Sequence, residues 1–375
     1  MSPDKSAPEQ LSKPGWSKLS IVFVVLLVPL AAVSLFDALR WYKIAGFARD
    51  VPLTQQQCKH IAREKLEGCE DLAIHHRSGK AFLACGSVAT RRAHLDVGTY
   101  ASNASDGLFS YDLATGDLEE IAIDGLGDDG YHALGIGIWD PYVEHAKPHN
   151  KDKGPAPEDT IIIMAINNRR NESVVEILEH QLGTGKASVV ETARHPLIST
   201  PNGVLPTSAR SFYISNDLWG RRSIVRTFEM ATARQWSSVV YRDEDGSAIT
   251  VADHLGFPNG IGTSYDDQLL YVSSSHAHVL IYKRLPGGKL ILRDRIEVPV
   301  LSDNLRYAAH GAVVRISNNT GADLYYGVKY KQEVVFSEKS KAISPLSVAD
   351  YSPEHRKLLL GNIVGNGFHI CDAEL

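Results

Sequence analysis

The sequence predicts an all-β protein, a six-bladed β-propeller preceded by an N-terminal hydrophobic helix. Two observations carry that expectation. From residue 58 onward, short apolar or alternating runs are separated by Gly, Asn, Asp and Ser turns, with little helical periodicity between them. Isolated polar residues also recur where the sequence otherwise turns apolar: Glu70 and Asp71 in CEDLAI, His132 in GYHALGI, Asn202 in TPNGVL, Asn259 in FPNGIG, and Asp303 and Asn304 in LSDNLRY. Each enters an apolar run and opens a unit of roughly 45–70 residues, the span of one blade with or without an insertion. The unit runs from polar marker through first strand, Gly or Asp turn and aromatic-bearing strand to outer strands, and recurs about six times. A β-sandwich needs no repeated polar entry. A propeller sets each first strand beside a central channel, where the markers meet.

Composition sets the bounds. Of 375 residues, 43% are hydrophobic and 22% charged, enough apolar material for a sizeable core. The net charge of -5 leaves no basic footprint, so nucleic acid is not an expected partner.

In chain order, residues 1–18 are polar and Pro-containing and read as a disordered tail. Residues 19–36 include LSIVFVVLLVPLAAVSL, uncharged from Leu19 to Leu35 and about the minimum length for a membrane span. They are expected to form a transmembrane signal anchor, with a cleaved signal peptide as the alternative. Lys13 and Lys18 before it nearly balance Arg40, Lys43 and Arg49 after it, so charge decides little about orientation. Residues 37–57 read as a connector helix with Leu39, Ile44 and Phe47 on one face. The propeller is expected over 58–375, in the lumen of the secretory pathway or outside the cell. Three sequons, at Asn103, Asn171 and Asn318, agree with that address. So do the four cysteines, which lack zinc-site spacing. Cys58 opens the folded region and Cys371 nearly ends it, so a bridge between them would clasp the first and last blades. Cys69 and Cys85 are left unassigned.

Strand pairs follow: LAIHHRSGKAFLACGS around a Ser-Gly turn, GLFSYDLATGDLEEIAI around Ala-Thr-Gly-Asp, then TIIIMAINN with SVVEILEHQL. SFYISND, SIVRTFEMA and WSSVVYRD read as further strands, and Pro286-Gly287-Gly288 as a hairpin tip. Thr90–Asp106 and Tyr142–Glu158 read as loops over one mouth of the channel.

Carboxylate and amide oxygens gathered from several blades suit a hard cation such as Ca2+, which takes six to eight oxygen ligands. The local alternative for Asn202-Gly203 and Asn259-Gly260 is a pair of hairpin turns. Their shared setting after proline and before an apolar run argues for a common role. His75, His76, His145 and His149 read as surface residues. Asp217 reads as a brace and Trp219 as part of a pocket mouth. No GxSxG elbow accompanies Ser273–Ser275, which argues against a serine hydrolase.

GCEDLAI, YHALGI, PNGV followed by FYISND, FPNGIG, SDN and the terminal CDAEL, in that order, resemble the serum paraoxonase and arylesterase family of calcium-dependent lactonases. The resemblance covers roughly Cys58 to Leu375. It implies a six-bladed propeller with a calcium tunnel, an uncleaved N-terminus and a lactone or aryl ester as substrate. It implies a catalytic calcium on Glu70, Asn202, Asn259, Asp303 and Asn304. A structural calcium would take the Asp71 carboxylate and the Ile136 carbonyl, but its remaining position is Gly203 instead of an aspartate. The family's base precedes a Gly-Ile pair; here Leu134 precedes Gly135-Ile136, and His132, two residues earlier, is the candidate to activate water. Asn168 stands where the family has a second histidine, able to orient an imidazole but not to relay a proton. His278 matches a histidine of the substrate wall. Two other classes fit the same pattern: a non-catalytic propeller stapled by calcium that binds a partner, and another propeller hydrolase of gluconolactonase or strictosidine-synthase type.

Overall fold

The computed structural model describes residues 58–62, 66–88, 106–146, 159–169, 171–221, 223–264, 266–298, 301–308, 311–318, 321–328, 331–338 and 346–374, together with Leu35, Leu39 and Tyr42. The chain divides into two units, Met1–Trp41 and Tyr42–Leu375. In the first, Leu35 and Leu39 are helical and exposed. The tail, the remainder of the expected anchor and, apart from Leu39 and Tyr42, the connector lie outside the described residues, as does Asn103. Among the described residues no helix is long and apolar enough to cross a membrane.

The second unit is all-β in architecture. After β1 (Cys58–Ile61), the strands fall into antiparallel meanders of four. The first comprises β2 (Cys69–His75), β3 (Lys80–Cys85), β4 (Gly107–Asp112) and β5 (Leu118–Asp124). The second comprises β6 (Ala133–Trp139), β7 (Thr160–Asn168), β8 (Ser173–Gln181) and β9 (Lys186–Ala193). The third holds β10 (Pro201–Pro206), β11 (Phe212–Asn216), β12 (Ser237–Arg242) and β13 (Ala248–Leu255). The fourth holds β14 (Pro258–Thr263), β15 (Leu269–Ser274), β16 (His278–Arg284) and β17 (Leu290–Glu297). The fifth holds β18 (Leu301–Ala308), β19 (Gly311–Asn318), β20 (Gly321–Val328) and β21 (Lys331–Glu338). In the last, β22 (Leu346–Ser352), β23 (Lys357–Asn362) and β24 (Phe368–Asp372) are completed by β1. A parallel pairing of β5 with β9 joins the first two meanders into one eight-stranded sheet.

Apolar side chains fill the spaces between meanders. Phe82 and Leu108 of the first pack with Ile136, Ile161 and Ile163 of the second. Met164 and Ile177 of the second pack with Phe212 and Ile214 of the third. β7 is thus buried on both faces, which explains why TIIIMAI lacks alternation. The first strands pack side by side in sequence, β2 by β6, β6 by β10, β10 by β14, β14 by β18 and β18 by β22, with β22 returning to β2.

Two segments depart from the expected strand and loop. SIVRTFEMA forms a helix, α2 (Ser223–Ala231), because its pattern is helical in depth: Arg226 and Glu229 point inward while Ile224 and Phe228 are exposed. A shorter helix, α1 (Pro141–Ala146), occupies the start of the second expected loop. The tip at Pro286–Gly288 is one 3-10 turn, in which Gly287 and Gly288 take φ of 68° and 71°, values open to glycine.

β1 is the outer strand of the last meander. It pairs antiparallel with β24, placing Cys58 opposite Cys371 and His60 opposite His369. Cys58 and Cys371 are disulfide-bonded, as expected, and Cys69 is bonded to Cys85. The His60 and His369 rings stack at 4.5 Å. Burial, and then the His60 charge, push His369 down to about 4. An unfolded histidine titrates near 6.5, so between those values the unfolded chain binds a proton that the folded chain resists. Stability is therefore expected to fall as pH drops from about 6.5 toward 4. Melting temperature against pH checks this, and His369→Phe should flatten the profile. An unchanged profile in that variant would move the acid sensitivity elsewhere.

Candidate functional site

Every first strand breaks its register, and β2, β10, β14 and β18 do so at a marker. The irregularities fall between Cys69 and Asp71, Ala133 and Ile136, Pro201 and Val204, Pro258 and Ile261, Ser302 and Leu305, and Leu346 and Val348. A bulge takes residues out of the ladder and re-aims their side chains. Glu70, Asn202, Asn259, Asp303 and Asn304 all lie within these breaks. The Asn-Gly pairs are therefore not hairpin turns but parts of β10 and β14. Pro201 and Pro258 stand first in their strands, where a missing N–H costs least.

Close backbone approach brings these positions together. A Cβ on Gly203 would lie 2.6 Å from the Asn259 carbonyl oxygen, and one on Gly260 would lie 2.5 Å from Asn304 Cα. Only glycine lets β10, β14 and β18 meet at this spacing. Asn304 completes the sequence of neighbours: its Nδ2 donates to Glu70 Oε1 at 3.2 Å and to the Glu70 carbonyl at 3.3 Å. Serine hydroxyls fix the same backbone. Ser215 donates to the Asn259 carbonyl, Ser273 to that of Asp303 and Ser347 to that of Glu70. Each hydroxyl reaches a neighbouring first strand. Nothing local in FYISN or LLYVSSS marks this recurrent brace.

Glu70, Asn202, Asn259 and Asn304 are buried, and Asp303 is partly buried. Among the described residues, the Oδ1 atoms of Asn202, Asn259 and Asn304 find no hydrogen-bond partner. A buried amide oxygen left without a donor costs about 1–3 kcal/mol, so three on adjoining strands require an explanation. A hard cation supplies one, because amide oxygens together with carboxylates are the donor set it prefers. Among the described residues no group of three or more His, Cys, Asp or Glu is placed to hold a metal. The candidate set is instead rich in amides.

His132 precedes β6 and is held through its backbone. Its N–H donates to Asn167 Oδ1 at 2.9 Å, and its carbonyl accepts from the Asn168 N–H at 3.0 Å. The next N–H, of Ala133, donates to Asp106 Oδ2 at 3.0 Å. Asn168 contributes main chain to this arrangement; its Oδ1 accepts from the Ser173 hydroxyl at 2.6 Å. The side chain that braces the His132 segment is Asn167, which also donates to the Gly130 carbonyl and to Glu176 Oε1, both at 2.9 Å. Sequence reasoning singled out Asn168 and missed its neighbour.

His278 is buried at the start of β16, with Nδ1 3.2 Å from the His276 carbonyl. Asp217 is a brace, as expected: Arg226 donates to its two oxygens at 3.0 and 2.9 Å. Trp219 is exposed and lines a cleft of about 410 Å3 with Gln235, Trp236, Asp253 and His254; none of the cation-ligand candidates lines it. His75 is not a surface residue. It is buried between Ser78 Oγ and Asp140 Oδ2, each at 2.8 Å. Against burial, which raises it, hydrogen bonds from His75 and Arg77 hold the Asp140 carboxyl at about 2. Asn171 is exposed in the β7–β8 turn, whereas Asn318 ends β19.

The second unit is thus all-β and propeller-like, with buried oxygen donors on adjoining first strands. Solved structures agree on the fold. A luciferin-regenerating enzyme matches with a TM-score of 0.54 at 11% identity, over 86% of this chain and 96% of its own. A protein described as a gluconolactonase matches with a TM-score of 0.50 at 13% identity, over 87% and 94%. The arylesterase family model matches residues 107–317, more than half of the chain. The chain belongs to the arylesterase family and is a hydrolase of esters or lactones. Serum paraoxonase/arylesterase 1 of Mus musculus is 26% identical over 250 residues, covering 61% of this chain and 69% of the relative. Its Rattus norvegicus counterpart is 25% identical, covering 58% and 66%. Against serum paraoxonase/arylesterase 2 of Rattus norvegicus, the match spans about half of the relative, 47%.

Proposed function

We propose that the chain is a calcium-dependent hydrolase of lactones or aryl esters, working at the centre of a six-bladed propeller. The observation that carries the reading is the trio of buried, donorless amide oxygens on Asn202, Asn259 and Asn304, with Asn304 hydrogen-bonded to Glu70. Glu70, Asn202, Asn259, Asp303 and Asn304 would hold the ion. Calcium bound there supplies Lewis acidity toward the substrate carbonyl oxygen. The return of β22 to β2 and the completion of the last meander by β1 support the closed ring.

His132 takes a proton from water at a ring nitrogen as that water attacks the carbonyl carbon. The acyl C–O bond then breaks, and the same nitrogen returns the proton to the leaving oxygen. The backbone clamp from Asn167, Asn168 and Asp106 holds His132 in place for both steps, and His278 contributes to the substrate wall. His132→Gln is expected to lower turnover by about 10²–10⁴-fold while leaving the melting temperature unchanged. Steady-state kinetics on a lactone panel would measure it, and unaltered turnover refutes the base. Hydrolysis that persists after complete calcium removal refutes the mechanism as a whole.

The two disulfides support our reading of an oxidising address, the secretory lumen or the exterior, with residues 19–36 as a membrane anchor. Exposed Asn171 is the described sequon best suited to carry a glycan.

A further inference from the structure

Arg306 follows the DN pair of β18 and takes no part in the reading above. Its guanidinium forms an ion pair with Asp71 Oδ1. Nε donates to the Leu72 carbonyl at 2.6 Å, Nη2 to the Ile136 carbonyl at 3.1 Å, and Nη1 to the Leu305 carbonyl at 3.1 Å. One side chain thereby collects a carboxylate and three carbonyls from β2, β6 and β18. These are oxygen donors of the kind a hard cation uses. They include both residues, Asp71 and Ile136, that the resemblance assigns to a structural calcium.

The same oxygens are otherwise engaged. Asp71 Oδ1 also accepts from the Leu72 N–H at 3.0 Å, and Oδ2 from the Ile136 N–H at 2.8 Å. The remaining ligand position is Gly203, where a side chain would run into the Asn259 carbonyl. The residues present do not fit a second calcium. They fit a planar cation with five N–H donors.

We infer that the Arg306 guanidinium is the built-in cation of this chain, stapling three first strands in place of a structural calcium and leaving no second calcium site at Asp71. A divalent ion at that place would have to displace a contacting positive charge and take lone pairs already spent on N–H donors. The inference is independent of the calcium proposed at Asn202, Asn259 and Asn304, and the two are read by different variants.

The experiment is calcium stoichiometry on the full chain by equilibrium dialysis with radioactive calcium, comparing wild type, Asp71→Asn and Glu70→Gln. Asp71→Asn is expected to bind the same number of calcium ions as wild type, whatever that number is. Loss of one equivalent in Asp71→Asn overturns the inference. Glu70→Gln reports separately on the catalytic calcium, so failure of one reading is not failure of the other. Because Asp71→Asn also weakens the staple, Arg306→Gln is melted in calcium-free buffer as a second measurement. Its melting temperature should fall by roughly 5–10 °C, as for the breaking of a buried ion pair. An Arg306→Gln protein that melts with wild type in chelator overturns the staple.

Discussion

Glu70→Gln is expected to lower lactone or aryl ester hydrolysis by at least about 100-fold and to lose one bound calcium per chain, with the fold retained. The substitution keeps the size of the side chain and an oxygen at Oε1 for Asn304 Nδ2, which donates to it at 3.2 Å. What it removes is the one formal charge contributed by β2 to a set otherwise supplied by amides and Asp303. A hard cation depends on that charge more than on any single neutral oxygen, because its affinity follows the number of charged ligands. The loss should therefore exceed that of Asn202→Asp, which adds charge at the same shell. Isothermal titration with calcium and kinetics on the same preparations separate binding from chemistry. Wild-type hydrolysis in Glu70→Gln would remove this residue from the site.

The markers were legible because they interrupt a strong pattern. An asparagine between proline and glycine ahead of an apolar run has no reason to exist in an ordinary ladder, and at Asn202 and Asn259 it marks a register break. The Cys58–Cys371 bridge was legible from the position of the two residues at opposite ends of the β region. Other features turn on contacts that no local pattern encodes. Arg306 meets Leu72 across 234 residues of sequence, and nothing in LSDNLRY says which carbonyls lie opposite. The choice between Asn167 and Asn168 is one of side-chain direction, since adjacent strand residues face opposite ways. SIVRTFEMA was misread because Ile, Val, Thr and Phe favour strands. Its helix is fixed by tertiary partners, Arg226 on Asp217 and Glu229 on the Trp219 N–H at 2.9 Å. The Cys69–Cys85 bridge joins residues opposite one another on β2 and β3, a register set by folding rather than by spacing.

Removal of the Cys58–Cys371 bridge by the double serine substitution should cost about 5 kcal/mol, whereas removal of Cys69–Cys85 should cost about 3 kcal/mol. The two bridges close loops of very different length, with sequence separations of 313 and 16. In the chain-entropy account the long loop restricts the unfolded ensemble more. The native consequences differ in the same direction. Cys69 and Cys85 remain paired within β2–β3 by ladder hydrogen bonds and lie in a core with Leu72, Leu83 and Phe368. β1 has only four residues, and its two middle positions are exposed; besides the bridge it is held by its ladder to β24, the His60–His369 stack and Ile61 against the core. Without the bridge, β1 should open first and leave the outer edge of β24 uncovered, as expected for an element at the low end of local stability. Chemical denaturation of the two double-serine variants would measure the difference, and amide exchange at Lys59 and His60 would report the opening. Equal losses in the two variants, with β1 protected in both, would place the closure of the sheet elsewhere than in the bridge.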